Sequence, residues 1–423
     1  MRFIYTVIFY LALPFILVRL WIKNRKNPQG LQFWHERLGL GLRCPLPPPG
    51  GIWVHAVSVG ESLTAIPLIK QIQHRYPFIP IIVTNETATG AERIRRVFGN
   101  SVTQLYFPYD LPLILKNFFK LLQPQLLILL ETELWPNLLA ACRRYKVPVA
   151  LINARLSRQS ANSYRRIGPL VRAMLQNINV IAAQFQKDAD RFIDLGFPSQ
   201  KIHITGSLKF DITLPANLIE KAQALRKTWG ENRLVWIAAS THGGEEALVL
   251  RAFSHVRQFF PDLLLISVPR HVDRAAQLEQ LYRRRNYSVS KRSHYLLDLS
   301  DTDILIGDTM GELFTFYASA DLAFVGGSFV KKGGQNPLEP AAVGLPILTG
   351  PYTFNFSTIT EQLKQRNAEI QVNDVTELAE QVIFLLSNPM QCRQMGQEAK
   401  KFVEENKGSV LKQMQLIENL MTV

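Results

Sequence analysis

Gly326-Gly-Ser-Phe-Val-Lys-Lys-Gly-Gly-Gln-Asn-Pro-Leu-Glu-Pro340 follows a short apolar run, Leu322 to Val325, and leads into a segment of helical pattern. The glycines therefore fall where a strand hands over to a helix. At such a junction the backbone can approach a ligand closely, and the first free N–H groups of the helix favour an anion. Asn336 and Pro337 suit the cap and first turn of that helix, which leaves Glu339 on its first turn. Donors for a phosphate beside an acceptor for ribose hydroxyls are what a sugar nucleotide requires. A plain strand-to-helix turn uses the same residue types, so the loop alone leaves both readings open.

Working outward, the same alternation recurs along most of the chain. Short β-branched or apolar runs at Ile52–Val57, Ile79–Thr84, Leu126–Leu130, Val147–Asn153, Val180–Ala183 and Ile202–Thr205 are separated by amphipathic helical stretches. A second series runs through Leu234–Ala239, Leu263–Val268, Ile304–Ile306, Leu322–Val325 and Ile347–Leu348. Alternation of this kind predicts parallel sheets covered by helices on both faces. The expected fold class is α/β: two doubly wound, Rossmann-like domains facing across a cleft, with ligands at the carboxyl ends of the strands. The expected boundaries are an anchor over 1–26, a Gly/Pro-rich link over 27–50, one domain over 51–210 and a second over 211–423 that includes the C-terminal helices.

At 423 residues the chain suits two domains, and with 47% hydrophobic residues it can fill two cores. Its three cysteines, Cys44, Cys142 and Cys392, lie far apart and in no metal-ligand spacing, which argues against a disulfide framework or a zinc site. The net charge of +14 is uneven: residues 1–210 carry 26 Lys+Arg against 10 Asp+Glu, whereas residues 211–423 carry 22 against 24. The first half therefore faces something acidic. With no aromatic-interleaved basic run and no nucleic-acid module, anionic lipid or a phosphorylated substrate is expected rather than nucleic acid. Phe3 to Val18 is almost wholly apolar, and Arg19, Lys23, Arg25 and Lys26 follow it. This pattern predicts an uncleaved membrane anchor that keeps the bulk of the protein cytoplasmic, with a helix lying in the membrane interface as the alternative.

Several side chains at expected strand ends can carry chemistry. Glu61 begins the helix after Ile52–Val57, where it can either accept a proton from an attacking hydroxyl or simply favour a helix N-terminus. Glu131 and Glu133 follow Leu126–Leu130; two carboxylates at one cavity raise each other's pKa, although Glu133 also reads as a first-turn residue. Lys209 lies in the junction between domains, suited to a departing phosphate or to plain solvation. Ala239-Ser-Thr-His-Gly-Gly-Glu-Glu246 repeats the strand, small-residue and helix arrangement, a plausible anion nest. His55, His242 and His271 read equally well as structural or functional. Asp301 and Asp303 precede their strand and read as a solvated turn rather than a metal-binding pair.

Taken together, WVHAVSVGES (53–62), ETELWPN (131–137), INARLS (152–157), GSLKFD (206–211), STHGGEE (240–246), VPRH (268–271), GDTMGEL (307–313), FVGGSF (324–329) and GGQNPLEP (333–340) closely resemble the 3-deoxy-D-manno-octulosonic acid (Kdo) transferases of lipopolysaccharide synthesis. The resemblance implies a GT-B glycosyltransferase, inverting and metal-independent, with no cofactor beyond its donor. CMP-Kdo would glycosylate a phosphorylated lipid A precursor at the cytoplasmic face of the bacterial inner membrane. It further implies Glu61 as proton acceptor, with Glu131 and Lys209 stabilising the transition state. CMP would be held by Pro269 and Arg270, by Met310, Gly311 and Glu312, and by Asn336, Pro337, Leu338 and Glu339. The family usually has His where this chain has Gln335, so a cationic role at that position is lost. Two other readings use the same fold: a lipid glycosyltransferase with a UDP-sugar donor, and a non-catalytic lipid- or nucleotide-binding protein.

Overall fold

The computed structural model describes residues 1–24, 34–39, 46–294 and 299–422. Part of the link expected over 27–50, together with Arg25, Lys26 and Cys44, lies outside the described residues. The chain divides into two compact units, Met1–Asp211 with Gly408–Val423, and Ile212–Lys407.

The first unit is built on seven parallel strands: β1 (Ile52–His55), β2 (Ile81–Asn85), β3 (Thr103–Tyr106), β4 (Leu126–Leu130), β5 (Val149–Ala154), β6 (Val180–Ala183) and β7 (Ile202–Ile204). Their order is β3-β2-β1-β4-β5-β6-β7. β4 reads Leu-Leu-Ile-Leu-Leu and is buried throughout, as a central strand covered on both faces must be. The period-two alternation of β1 divides its side chains between those faces. Trp53 enters one core with Phe118 and Leu138, and Ile52 and Val54 enter the other with Leu68 and Ile72. The second unit repeats the plan with β8 (Val235–Thr241), β9 (Leu264–Pro269), β10 (Val289–Lys291), β11 (Ile304–Ile306), β12 (Leu322–Val325), β13 (Ile347–Thr349) and β14 (Glu369–Gln371), in the order β10-β11-β9-β8-β12-β13-β14.

Each order reverses direction at one point, between β1 and β4 in the first sheet and between β8 and β12 in the second. Helices leaving the two strands go to opposite faces there and open a crevice at the strands' carboxyl ends. The two switch points fix where ligands can be held.

The second expected domain, 211–423, is corrected at its end: helix Ser409–Met421 belongs to the first unit. Its Met414 and Ile417 are buried in the same core as Leu208 and Ile72. Gly408 N–H and Val410 N–H donate to the two oxygens of Asp211 at 2.6 and 2.5 Å, and Arg75 pairs with Glu418 at 2.7 Å.

The N-terminal helix Arg2–Asn24 spans about 35 Å at 1.5 Å per residue, and its Arg2–Arg19 stretch is long and apolar enough to cross a membrane. One face nevertheless packs on the first unit. Tyr5, Phe9, Leu13, Ile16 and Leu17 rest against the core, Phe9 lies edge-on to Tyr109 at 6.3 Å, and Thr6 Oγ1 donates to Asn137 Oδ1 at 3.1 Å. The opposite face exposes Phe3, Ile8, Leu11 and Phe15.

Candidate active site

At the first switch point, β1 runs through Ala56 and Val57 into helix Val59–Arg75, capped by Ser58. Glu61 stands on its first turn. Its two carboxylate oxygens accept from Val57 N–H at 2.8 Å and from Ser58 Oγ at 2.9 Å, so the half-buried side chain caps the start of its own helix. Burial raises the pKa of Glu61, the charge of Glu131 raises it further, and the Val57 and Ser58 donors pull the other way.

Across the switch point, β4 ends at Leu130 and Glu131 follows with φ of 56°, a left-handed backbone that costs a non-glycine residue on the order of 1–3 kcal/mol. Its N–H is still held by Ile152 O at 3.0 Å, so the kink redirects the side chain without breaking the strand's last bond. Glu133 is not on a helix, which begins only at Pro136. Its Oε2 accepts from Trp135 Nε1 at 2.9 Å, and burial, with Glu61 next in effect, lifts its pKa to about 7. Glu133 thus joins the carboxylate group that the sequence placed mainly at Glu61 and Glu131.

Lys209 sits on the 3-10 turn Leu208–Phe210. Burial lowers its pKa, Glu131 and Glu61 act to raise it, and Arg155 lowers it, which places the ammonium within electrostatic reach of both switch-point carboxylates. The turn is clamped from two sides. Leu208 N–H donates to Asn153 Oδ1 at 3.1 Å from the end of β5. From the C-terminal helix, the fully buried Gln413 donates to Thr205 Oγ1 and Gly206 O at 3.0 and 3.2 Å. His55 is a core residue: it is buried, stacks on Phe107 at 3.9 Å, and burial lowers its pKa to about 3.

At the second switch point the first residues of the glycine-rich loop hold a carboxylate of the chain itself. Gly327 N–H donates to Glu245 Oε2 at 2.7 Å, and Ser328 and Phe329 N–H donate to Oε1 at 3.0 and 2.8 Å. His242 N–H adds a fourth bond to Oε2 at 2.8 Å. These four N–H groups are therefore taken by a fully buried carboxylate of the chain itself and are not free for a ligand's phosphate. The signal was present in the two glutamates that follow Gly243-Gly244. Gly326 is required here by space rather than by ligand approach: a Cβ would lie 2.7 Å from Thr241 Cα and 2.8 Å from Ser240 O.

The residues that the resemblance assigns to CMP lie in the same unit, after β9, after β11 and at the start of the helix Leu338–Ala342. Pro269 ends β9 and Arg270, exposed, follows it at the strand's carboxyl end. Asn336 Oδ1 accepts from Leu338 N–H at 3.1 Å, capping the short helix Leu338–Ala342, and Pro337 precedes that helix. Burial raises the pKa of Glu339, with Asn336 and Arg270 opposing. Met310 is exposed and Gly311 has φ of 87°, so their backbone is open to a ligand. Glu312 is engaged within the protein. Burial would raise its pKa, but Arg292, at 2.8 Å, and Thr309 hold it below its ordinary value. Asp303 accepts from Ser288 N–H and pairs with Arg257 at 2.9 Å, a structural turn. Among the described residues, no three His, Cys, Asp or Glu side chains gather as a metal site.

Two all-parallel, doubly wound units are the fold of the GT-B class, and the family matches place the chain among the glycosyltransferases. Residues 248–402 match the family described as glycosyl transferases group 1. The solved Anabaena protein Alr3699/HepE in complex with UDP shares the fold, with a TM-score of 0.56 and 14% identity over 88% of this chain and 100% of its own.

Within that class the chain belongs to the 3-deoxy-D-manno-octulosonic acid transferase family. Residues 32–212 match the family described as 3-deoxy-D-manno-octulosonic-acid transferase (kdotransferase). The 3-deoxy-D-manno-octulosonic acid transferase of Haemophilus influenzae is 38% identical over 98% of both chains, and that of Bordetella pertussis is 33% identical over 99% of both.

Proposed function

We propose that this chain transfers Kdo from CMP-Kdo to a phosphorylated lipid A precursor, with inversion and without a metal. The observation that carries the reading is the meeting of Glu61 and Glu131 at one switch point, with Lys209 in electrostatic reach of both. The acceptor hydroxyl oxygen bonds to the anomeric carbon as the carbon–oxygen bond to phosphate breaks. The electron pair of that bond leaves with CMP, and the hydroxyl proton passes to Glu61. The raised pKa of Glu61 makes its ionised form a better proton acceptor than an ordinary carboxylate. The lysine ammonium offsets negative charge as it grows on the leaving phosphate, an effect worth on the order of 10²-fold in rate. In the second unit, Arg270 supplies the cation for the donor phosphate, because Glu245 already occupies the loop's N–H groups.

The acceptor carries phosphates and sits in lipid. That suits the first unit, whose Arg95, Arg96, Arg143, Arg144, Arg165 and Arg166 are exposed. Helix Arg2–Asn24 holds this unit at the cytoplasmic face of the inner membrane. Its packed face supports a helix lying along the membrane interface rather than a free-standing span. The deciding experiment gives the purified full chain CMP-Kdo and a tetra-acylated lipid A precursor in EDTA and weighs the product. Addition of Kdo is expected. Transfer only from a UDP-sugar, or only after metal is restored, overturns the reading.

A further inference from the structure

The side chains of one pair at the second switch point are used neither by the residues assigned to CMP nor by the bonds that hold Glu245. Gln335 Nε2 lies 3.0 Å from His242 Nε2. An amide nitrogen donates only, so the ring nitrogen is the acceptor and the proton of the neutral ring resides on Nδ1. That Nδ1–H has no hydrogen-bond partner among the described residues, while the His242 backbone is fixed by the bond from its N–H to Glu245. Arg270, His271 and Lys332 all act on the His242 ring, and the His271 ring lies at 6.0 Å. Burial lowers the pKa of His242, Glu245 opposes it, and His271, Arg270 and Lys332 lower it further.

We infer that His242, oriented by Gln335, is a second anion subsite in the donor unit and takes the carboxylate of the ulosonic acid sugar. The inference rests on the donor reading above. That sugar carries its carboxylate on the same carbon as the departing phosphate, so the donor presents two anions side by side. His242 follows β8 and Arg270 follows β9; these strands are parallel neighbours, with Thr241 in register with Pro269. Adjacent strands lie about 4.8 Å apart, a spacing that suits two anions borne on one carbon. Arg270 takes the phosphate and the Nδ1–H of His242 takes the carboxylate. Gln335 serves this arrangement better than a histidine would, because it fixes the tautomer of its neighbour without adding a charge that competes for the anion.

The test uses the full chain and two probes, CMP, which has the phosphate alone, and CMP-Kdo, which has both anions. In His242→Ala the KM for CMP-Kdo is expected to rise at least tenfold while the inhibition constant of CMP stays within twofold. Gln335→Glu, which sets a negative charge beside the ring, is expected to raise the same KM by a similar factor and to spare CMP. It serves as the deciding variant should His242→Ala fail to fold. Parallel weakening of CMP and CMP-Kdo makes the pair a phosphate contact, and an unchanged KM makes it structural; either result overturns the assignment. If the unaltered chain is not inhibited by CMP, the donor reading itself fails and this subsite falls with it. Inhibition by CMP with an unchanged KM in both variants removes the subsite alone.

Discussion

The two switch points occupy equivalent places in their sheets and use their carboxylates in opposite ways. In the second sheet, Glu245 is fully buried and accepts four backbone N–H groups, which consumes its charge in holding a loop. In the first, Glu61 has one backbone and one hydroxyl donor, and Glu133 has a single indole donor. Both keep proton affinity above the ordinary carboxylate range. The same topology thus yields a carboxylate that holds a loop in one unit and carboxylates of raised proton affinity in the other. What separates them is the number of donors supplied to each carboxylate.

Removing the proposed proton acceptor, Glu61, tests that contrast most severely. Glu61→Gln keeps an oxygen for Val57 N–H and is expected to lower kcat about 10³-fold with little change in melting temperature. A loss below tenfold would make Glu61 a cap and nothing more. Lys209→Ala comes next, with kcat down about 10²-fold and the KM for donor unchanged; a pure KM effect would move the lysine out of the transition state. In the second unit Glu245→Ala strands four N–H groups. It is expected to destabilise that unit by several kcal/mol, at about 1–3 kcal/mol per group, and to abolish CMP binding, as read by denaturation and CMP inhibition. Were it harmless, the contrast between the switch points would collapse.

Two smaller effects sharpen the picture. Because Glu61 must be ionised to accept a proton and its pKa is raised, kcat/KM should fall as pH drops through a value above the ordinary 4.5. Glu131→Gln removes a neighbouring negative charge, lowers the pKa of Glu61 and moves this acid limb to lower pH; an upward shift would contradict the coupling. Gln413→Ala loosens the turn that carries Lys209 and is expected to reduce kcat a few-fold at constant KM, when assayed well below the melting temperature.

The strands found from the sequence are mostly those buried on both faces, where the parallel sheet demands an unbroken apolar run. The three it missed, Thr103–Tyr106, Val289–Lys291 and Glu369–Gln371, are edge strands, short and partly polar because one side meets no neighbour. Glu61, Glu131 and Lys209 were legible as polar residues at the ends of apolar runs or at a domain junction. Glu133 was underrated because its expected helix starts three residues later, at Pro136. The glutamates after Gly243-Gly244 mark a carboxylate at that turn, but which N–H groups it takes was hidden because Glu245 and Gly327 are 82 residues apart. The return of the last helix to the first unit was hidden for a related reason. Val410, Met414 and Ile417 show an apolar stripe but not which core it fits.

That returning helix sets a timetable for the ribosome. Asp211 and Gln413 cannot act on the Lys209 turn until roughly 200 further residues have been made, about 10–40 s at ordinary elongation rates. The domain made first is therefore finished last. A nonsense codon close to the 3′ end of the message would leave the donor unit whole and disarm the lysine of the other.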